Sequence, residues 1–176
     1  MGPDNEQARR DFRWPVSATV EIAAPARAVW RAISTPGSLE DCHPFCRRNP
    51  VVRWPGADSV DEVHYLNGVV YERRFREWCE GQGFDLEICY KEKGLAWVSW
   101  RIAPLGERRS SLQITVYPLA LQHLSPALRW LPHWIYLRPR LASYLRSVVR
   151  GYQWYITKNK AVPRNQFGRH PWYSGA

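Results

Sequence analysis

The feature that most constrains the fold of this sequence is a long amphipathic segment near its C-terminus, residues 137–160. Apolar side chains recur there at spacings of three and four residues, which places them on one face of a helix. They are Leu137, Leu141, Tyr144, Leu145, Val148, Tyr152 and Tyr155. Because proline fits only the first turn of a helix, Pro139 predicts that the helix begins close to it. A helix of this length spans about 30 Å and needs a large apolar partner.

Short β-strands in the preceding hundred residues can supply that partner. Residues 16–23 alternate between apolar and polar side chains, which predicts a first strand. A short helix is expected after Pro25, and a second short helix or turn at residues 38–42. Six more strands are predicted, at residues 51–54, 60–66, 69–79, 84–90, 95–103 and 110–117. Because hairpin turns such as Asn67-Gly68 connect them, the sheet is expected to be antiparallel.

The turns also predict which side chains share the concave face of the sheet. A two-residue Asn67-Gly68 turn would place His64 opposite Tyr71. A four-residue turn at residues 80–83 would place Arg76 opposite Glu87 on the solvent side. The concave face would then carry Leu66, Val69, Tyr71, Phe75, Phe84, Leu86, Ile88 and Tyr90, with the ionisable Glu62, His64, Arg73 and Glu77 among them. Glu62 would pair with Arg73, whereas a slip of one residue would turn all four ionisable groups to solvent.

The composition favours one globular domain that is rich in aromatic side chains. A chain of 176 residues can bury a full-sized core. Ten Trp, nine Tyr and five Phe suit a cavity wall or an interface as well as a core. The formal net charge of +9 would suit nucleic acid. The sequence has no dense basic block with interleaved aromatic residues, however, so no nucleic-acid partner is expected.

Neither the N-terminus nor the cysteines indicate export. Residues 1–13 form a polar arm without the apolar core of a signal peptide, and the apolar region at 119–137 is too interrupted to span a bilayer. The four cysteines are therefore expected to be free thiols in a cytoplasmic protein. Cys42, His43 and Cys46 could ligate a metal, but no second Cys/His pair completes a zinc site. We expect no metal there and interpret these residues as a buried helix end.

The order of the predicted elements is that of the helix-grip fold. Residues 20–33 (VEIAAPARAVWRAI), followed by Pro36 and His43-Pro44, resemble the START/Bet v 1-like (SRPBCC) superfamily on its bacterial polyketide cyclase/dehydrase side. The resemblance implies an α+β domain at residues 14–160, in which a curved seven-stranded antiparallel sheet surrounds a long C-terminal helix and two short helices follow strand 1. A tail at residues 161–176 would follow. Members of this superfamily hold lipids, sterols, polyketides or other apolar molecules between the sheet and the helix.

The leading hypothesis is that the chain binds a hydrophobic small molecule, such as a lipid, a polyketide or another aromatic or isoprenoid-like compound. The residues expected to line the cavity are Trp30, Arg73, Phe75, Glu77, Phe84, Leu86, Ile88, Tyr90, Trp97, Tyr144, Leu145, Val148 and Tyr152. Some members of the superfamily are enzymes. The first alternative is therefore a cyclase or dehydratase without a metal or nucleotide cofactor, in which His64, Tyr71 and an acidic residue, either Glu62 or Glu77, provide acid–base groups.

A second alternative is a lipid carrier that contacts the inner face of a membrane. Trp130, Trp134 and Tyr136 lie among arginines, a composition typical of a membrane interface. The same segment could instead be a lid, a packed connector or a dimer patch, so both a monomer and a homodimer are compatible with the sequence. The aromatic residues of the tail, Trp172 and Tyr173 among them, are expected to dock on the domain.

Overall fold

A computed structural model describes residues 14–119 and 125–175, which form one antiparallel sheet and a set of helices. The predicted arm, residues 1–13, lies outside the described residues, as do residues 120–124 and 176. The strands are β1 (Val16–Ile22), β2 (Cys46–Arg48), β3 (Val51–Arg53), β4 (Val60–Tyr65), β5 (Val70–Cys79), β6 (Gly83–Tyr90), β7 (Lys93–Gly106) and β8 (Arg109–Pro118). The helices are α1 (Ala26–Ser34), α2 (Leu39–Cys42), α3 (Pro126–Pro132), a π-helical turn (His133–Leu137) and α4 (Arg138–Lys158).

The sheet wraps around α4, which confirms the helix-grip prediction. Seven strands follow one another in the order β1-β8-β7-β6-β5-β4-β2, and the short β3 also pairs with β4. The apolar stripe of α4 faces the sheet, with Leu141, Leu145, Val148 and Tyr152 buried. Pro139 lies in the first turn of α4, as expected, and Asn159 ends the helix in a left-handed conformation. Among the described helices, none is both long and apolar enough to cross a bilayer.

The predicted register of the β4–β5 hairpin was wrong by one residue. Val63, and not His64, lies opposite Tyr71, and Asp61 lies opposite Arg73. The loop has three residues, because the Tyr65 amide donates to the Val69 carbonyl and Gly68 adopts a φ of +87°. A turn followed by a left-handed glycine is a common three-residue hairpin loop. The slip places Asp61, Val63 and Tyr65 on the buried face and leaves the neighbouring residues of β4 on the outer face.

The β5–β6 hairpin differs from the prediction in its loop and by a β-bulge. The loop has three residues and not four, because Cys79 lies opposite Gly83. Phe75 lies opposite Leu86, and the pairing shifts by one residue before Glu77. Because a bulge inserts an unpaired residue, it reverses which side chains face inward after it. The half-buried Trp78 thus stacks on the core residue Phe84, with ring centroids 5.6 Å apart. The Arg76 guanidinium still reaches the Glu87 carboxylate at 2.9 Å, although the residue directly opposite Glu87 is Arg74.

Candidate ligand cavity

A cavity of about 170 Å³ lies between the concave face of the sheet and α4. Most of its wall is apolar and comes from alternate residues of β6, β7 and β8 and from one stripe of α4. These side chains include Leu86, Ile88, Val98, Ile114, Val116, Leu141, Leu145 and Val148. Polar side chains also line it, namely His43, Tyr65, Tyr71, Arg73, Tyr144 and Tyr173. The cavity therefore combines an extensive hydrophobic wall with a few hydrogen-bonding groups, as small-molecule sites do.

Three of the polar side chains form a hydrogen-bonded chain. The His43 Nε2 and Tyr144 hydroxyl lie 2.9 Å apart, and the Tyr144 and Tyr65 hydroxyls lie 2.8 Å apart. The Phe45 amide donates to His43 Nδ1 at 3.2 Å, so neutral His43 carries its proton on Nε2 and donates it to Tyr144. The two tyrosines have two hydroxyl protons and only one bond between their oxygens. One O–H therefore has no acceptor among residues 14–119 and 125–175, and it can donate to a ligand.

Burial keeps this chain electrically neutral. Desolvation, assisted by the nearby charge of Arg73, lowers the pKa of His43 from 6.5 to about 3. Desolvation also raises the pKa of Tyr144, and it raises that of Tyr65 well above its ordinary value of 10. At neutral pH the imidazole is therefore unprotonated and both phenols keep their protons. Such a chain can polarise an acceptor oxygen by hydrogen bonding, whereas the low pKa makes His43 a weak base.

The pKa of His43 predicts that the protein loses stability as the solution becomes acidic. The unfolded chain binds a proton near pH 6.5 and the folded chain only near pH 3, so the unfolded state binds more protons between these values. The free energy of unfolding should thus decrease as the pH is lowered through that window. This residue alone should account for a decrease of about 2 kcal/mol from about pH 7 to pH 5. Urea denaturation at a series of pH values measures this slope.

The variant His43→Gln isolates the contribution of this imidazole. His133 and His170 also have pKa values lowered by burial, and they remain in the variant. The difference in slope between the wild type and His43→Gln therefore reports His43 alone. Equal slopes in the two proteins would contradict the prediction.

A buried ion pair lies beside the tyrosines. Arg73 donates from Nε to the Asp61 carboxylate at 2.7 Å and makes a second bond from Nη2, while Asp61 is fully buried. The expected Glu62–Arg73 pair is thus replaced by an Asp61–Arg73 pair, because the slipped register turns Asp61 inward. The Arg73 guanidinium also lies 5.3 Å from the centre of the Phe75 ring. The Arg73 guanidinium thus brings a positive charge to the cavity wall, and the Asp61 carboxylate neutralises it.

The C-terminal tail closes the cavity beside Tyr65. The Tyr173 ring stacks on Tyr65 at 4.2 Å, and Trp172 also lines the cavity. The Asn67 side chain donates to the Trp172 carbonyl at 2.6 Å, and the His170 Nε2 and the Arg140 carbonyl oxygen lie 3.0 Å apart. Trp172 and Tyr173 therefore dock on the domain, as predicted, and form one of its internal walls.

The structure brings about half of the predicted site residues to the cavity. The residues that line it are Tyr71, Arg73, Leu86, Ile88, Tyr144, Leu145 and Val148. Four others are packed into the hydrophobic core, away from the cavity lining, namely Trp30, Phe75, Phe84 and Tyr152. Tyr90 is 42% exposed, and its ring meets that of Tyr71 edge-on. The bulge turns Glu77 away from the concave face, and Trp97 alternates with the inward-facing Val98 on β7.

Two of the predicted acid–base residues, His64 and Glu62, lie on the outer face of the sheet. His64 Nε2 and Glu62 are 2.6 Å apart, and both side chains are partly exposed. The one-residue slip of β4 accounts for this position, because neighbouring side chains of a strand point to opposite faces. Of the predicted catalytic residues, the structure therefore places only Tyr71 at the cavity.

Sequence reasoning missed His43, Tyr65 and Asp61 as members of this site. His43 was interpreted as a helix end, and it does follow α2 directly. Its neighbours Cys42 and Cys46 are buried, and burial raises the pKa of Cys46 to about 12, so this thiol keeps its proton. Within the part of the chain that the structure describes, no three potential metal-ligating side chains come together. The sequence did contain a signal for Tyr65, because Asp61, Val63 and Tyr65 are spaced two residues apart on β4 and therefore share one face.

Solved structures share this architecture at low sequence identity. The Zhui aromatase/cyclase from Streptomyces sp. R1128 is 19% identical, with a TM-score of 0.57, over 85% of this chain and 99% of its own. A norcoclaurine synthase point mutant from Thalictrum flavum is 14% identical, with a TM-score of 0.58, over 83% of this chain and 95% of its own. DynU16, from the dynemicin biosynthetic locus, is 14% identical with a TM-score of 0.64, and the match covers 84% of this chain and only 48% of that protein.

No family model and no curated protein matches the sequence. The likenesses to solved structures therefore show the fold alone. The chain is an α+β protein in which an antiparallel sheet curls around a long C-terminal helix and encloses a cavity. This is the helix-grip fold that the order of the predicted elements and the resemblance of residues 20–33 implied.

Proposed function

We propose that this protein binds a compact, mostly apolar small molecule that carries a hydrogen-bond acceptor, in the cavity between the sheet and α4. The observation that carries the proposal is the combination of an apolar cavity with a phenolic O–H that has no acceptor among the described residues. Burial of the ligand's apolar surface would supply affinity at about 25 cal/mol per Å², before ordering costs. The free O–H of Tyr65 or Tyr144 would orient a carbonyl, ether or hydroxyl oxygen.

The size of the cavity limits the class of ligand. At about 170 Å³ it resembles an engineered protein cavity of about 150 Å³ that binds benzene. A ligand with one ring or two compact fused rings therefore fits the conformation described here. A long acyl chain or a polycyclic polyketide, both within the broader hypothesis from the sequence, would require the tail or another wall to move.

A matched pair of ligands tests the proposal. Indanone and indane have the same fused rings, but only indanone has a carbonyl oxygen. We expect the wild type to bind indanone about fivefold more tightly, because one hydrogen bond contributes about 1 kcal/mol. Replacing both Tyr65 and Tyr144 with phenylalanine should remove this preference while leaving the binding of indane nearly unchanged. Isothermal titration calorimetry measures both affinities.

A variant that fills the cavity provides the second arm of this test. Val148→Trp puts a large side chain into the cavity wall and should abolish binding of both compounds. Val52→Trp is the matched control, because Val52 is 71% exposed on β3, away from the cavity lining, and should bind like the wild type. Thermal unfolding verifies that each variant is folded. Equal binding by folded Val148→Trp and by the wild type would overturn the proposal.

An enzyme of the cyclase or dehydratase type is the second candidate, and the hydrogen-bonded chain of His43, Tyr144 and Tyr65 favours it. A polarised carbonyl is more readily attacked by a carbon nucleophile. A β-hydroxy ketone with a polarised carbonyl also eliminates its hydroxyl as water more readily. One structural neighbour is an aromatase/cyclase and another is a norcoclaurine synthase. Mass spectrometry of a bound β-hydroxy ketone distinguishes the two functions. A binder leaves its mass unchanged, whereas a dehydratase lowers it by one water.

A further inference from the structure

A surface of exposed apolar side chains lies outside the proposed cavity function. It consists of Leu128, Trp130, Leu131, Trp134, Ile135 and Tyr136, each between 47% and 67% exposed, on α3 and the π-helical turn. We call this surface the aromatic patch. Isolated exposed apolar residues are ordinary, but six large ones within nine residues of helix indicate a surface that meets an apolar partner.

Two arginines, Arg138 and Arg140, form a cationic rim on the patch. The Arg138 guanidinium lies 4.6 Å from the centre of the Trp134 ring, and the Arg140 guanidinium lies 3.8 Å from the centre of the Tyr136 ring. These cation–π contacts hold positive charge directly over the aromatic rings. Any partner that covers the patch must therefore tolerate cations next to its apolar contact surface.

The charge of the C-terminal region favours an anionic partner. Residues 108–176 contain eleven Arg and Lys and no Asp or Glu, whereas residues 1–107 contain fourteen Arg and Lys and sixteen Asp and Glu. The excess positive charge of the protein thus resides entirely in the part of the chain that includes the patch. A charge asymmetry of this kind favours an anionic surface as the partner.

We propose that the aromatic patch docks this protein on an anionic lipid bilayer. Tryptophan and tyrosine settle at the boundary between headgroups and acyl chains, while arginines contact lipid phosphates. A second copy of the chain is a poorer partner, because a twofold interface would bring the same cationic rim against itself. A short helix with exposed apolar side chains and arginines beside them can lie in the interface plane of a bilayer.

The docked surface would adjoin the ligand cavity. Leu137 follows the patch directly and lines the cavity, and the Tyr136 ring lies 6.2 Å from that of Trp172, another lining residue. An apolar ligand could therefore pass between the bilayer and the cavity along this wall. Membrane docking itself does not require a ligand, so the two proposals can fail separately.

Flotation with lipid vesicles tests the proposal on the 176-residue chain without added ligand. We expect binding to phosphatidylcholine vesicles that contain about one third phosphatidylglycerol, and about tenfold weaker binding to vesicles of phosphatidylcholine alone. Raising the salt from about 0.1 M to about 0.5 M should weaken the binding by a similar factor. The double variant Trp130→Ser/Trp134→Ser should lose at least about tenfold in affinity for the anionic vesicles.

Two matched controls separate the patch from general hydrophobicity and charge. Val52→Ser/Leu105→Ser also removes two exposed apolar side chains, but from the sheet, and should bind as the wild type does. Arg138→Gln/Arg140→Gln should weaken binding more than Arg27→Gln/Arg31→Gln, which removes the same charge from exposed positions of α1. Equal binding to neutral and anionic vesicles, or full binding by the tryptophan double variant, would overturn the proposal. Dimerisation through the patch without vesicle binding would also overturn it.

Discussion

Replacement of Arg73 by leucine is expected to lower the free energy of unfolding by about 3–5 kcal/mol. The variant would leave the Asp61 carboxylate with no exposure to solvent and without the two hydrogen bonds that it accepts from the guanidinium. An unpaired buried charge costs much more than the loss of a surface ion pair. Urea denaturation followed by tryptophan fluorescence measures the effect.

Two companion variants show that the cost arises from the buried charge. The double variant Asp61→Leu/Arg73→Leu removes both charges and should recover most of the lost stability, since apolar replacements of buried ion pairs are often neutral. Arg76→Leu breaks the more exposed bond to Glu87 and should cost less than about 1 kcal/mol. If Arg73→Leu and Arg76→Leu were equally destabilising, the Asp61–Arg73 pair would not have the energetic role assigned to it.

The second large effect is expected at Gly151, in the middle of α4. An alanine Cβ at this position would lie 2.1 Å from the Cys42 carbonyl oxygen and 3.0 Å from Pro44 Cδ. In an exposed helix, glycine to alanine would stabilise the protein by about 1 kcal/mol. Here the overlap involves a backbone carbonyl that cannot rotate away, so Gly151→Ala should destabilise the protein by about 2 kcal/mol or more.

The close approach at Gly151 also determines the geometry of the candidate site. It packs α4 against the end of α2, where His43 follows, and His43 contacts Tyr144 of α4 at 2.9 Å. A displaced α4 should therefore weaken ligand binding as well as stability. Ser143→Ala, on the exposed face of the same helix, is the control and should be neutral or slightly stabilising. A Gly151→Ala variant as stable as the wild type would contradict the packing described here.

The prediction of the candidate site was limited by strand register. An Asn-Gly dipeptide fits both a two-residue and a three-residue hairpin loop, and only the three-residue loop places Tyr65 rather than His64 on the concave face. Nothing in the sequence around Arg76 indicates a bulge, although the bulge decides whether Glu77 or Trp78 points inward. A single error of one residue in this loop therefore exchanged the predicted inner and outer faces of β4, and the structure has His64 and Glu62 on the outer face.

The sequence by itself determined most elements of the fold and their order, although it indicated neither β2 nor α3. The stripe of α4 repeats every three to four residues, and the alternation of β1 and the glycine-containing turns is equally local, so each can be recognised within a short window. The tertiary structure alone decided which side chains meet. Tyr144 contacts His43 and Tyr65 across separations of 101 and 79 residues. Such contacts depend on register and on the approach of α4 to α2, which no local pattern of residues specifies.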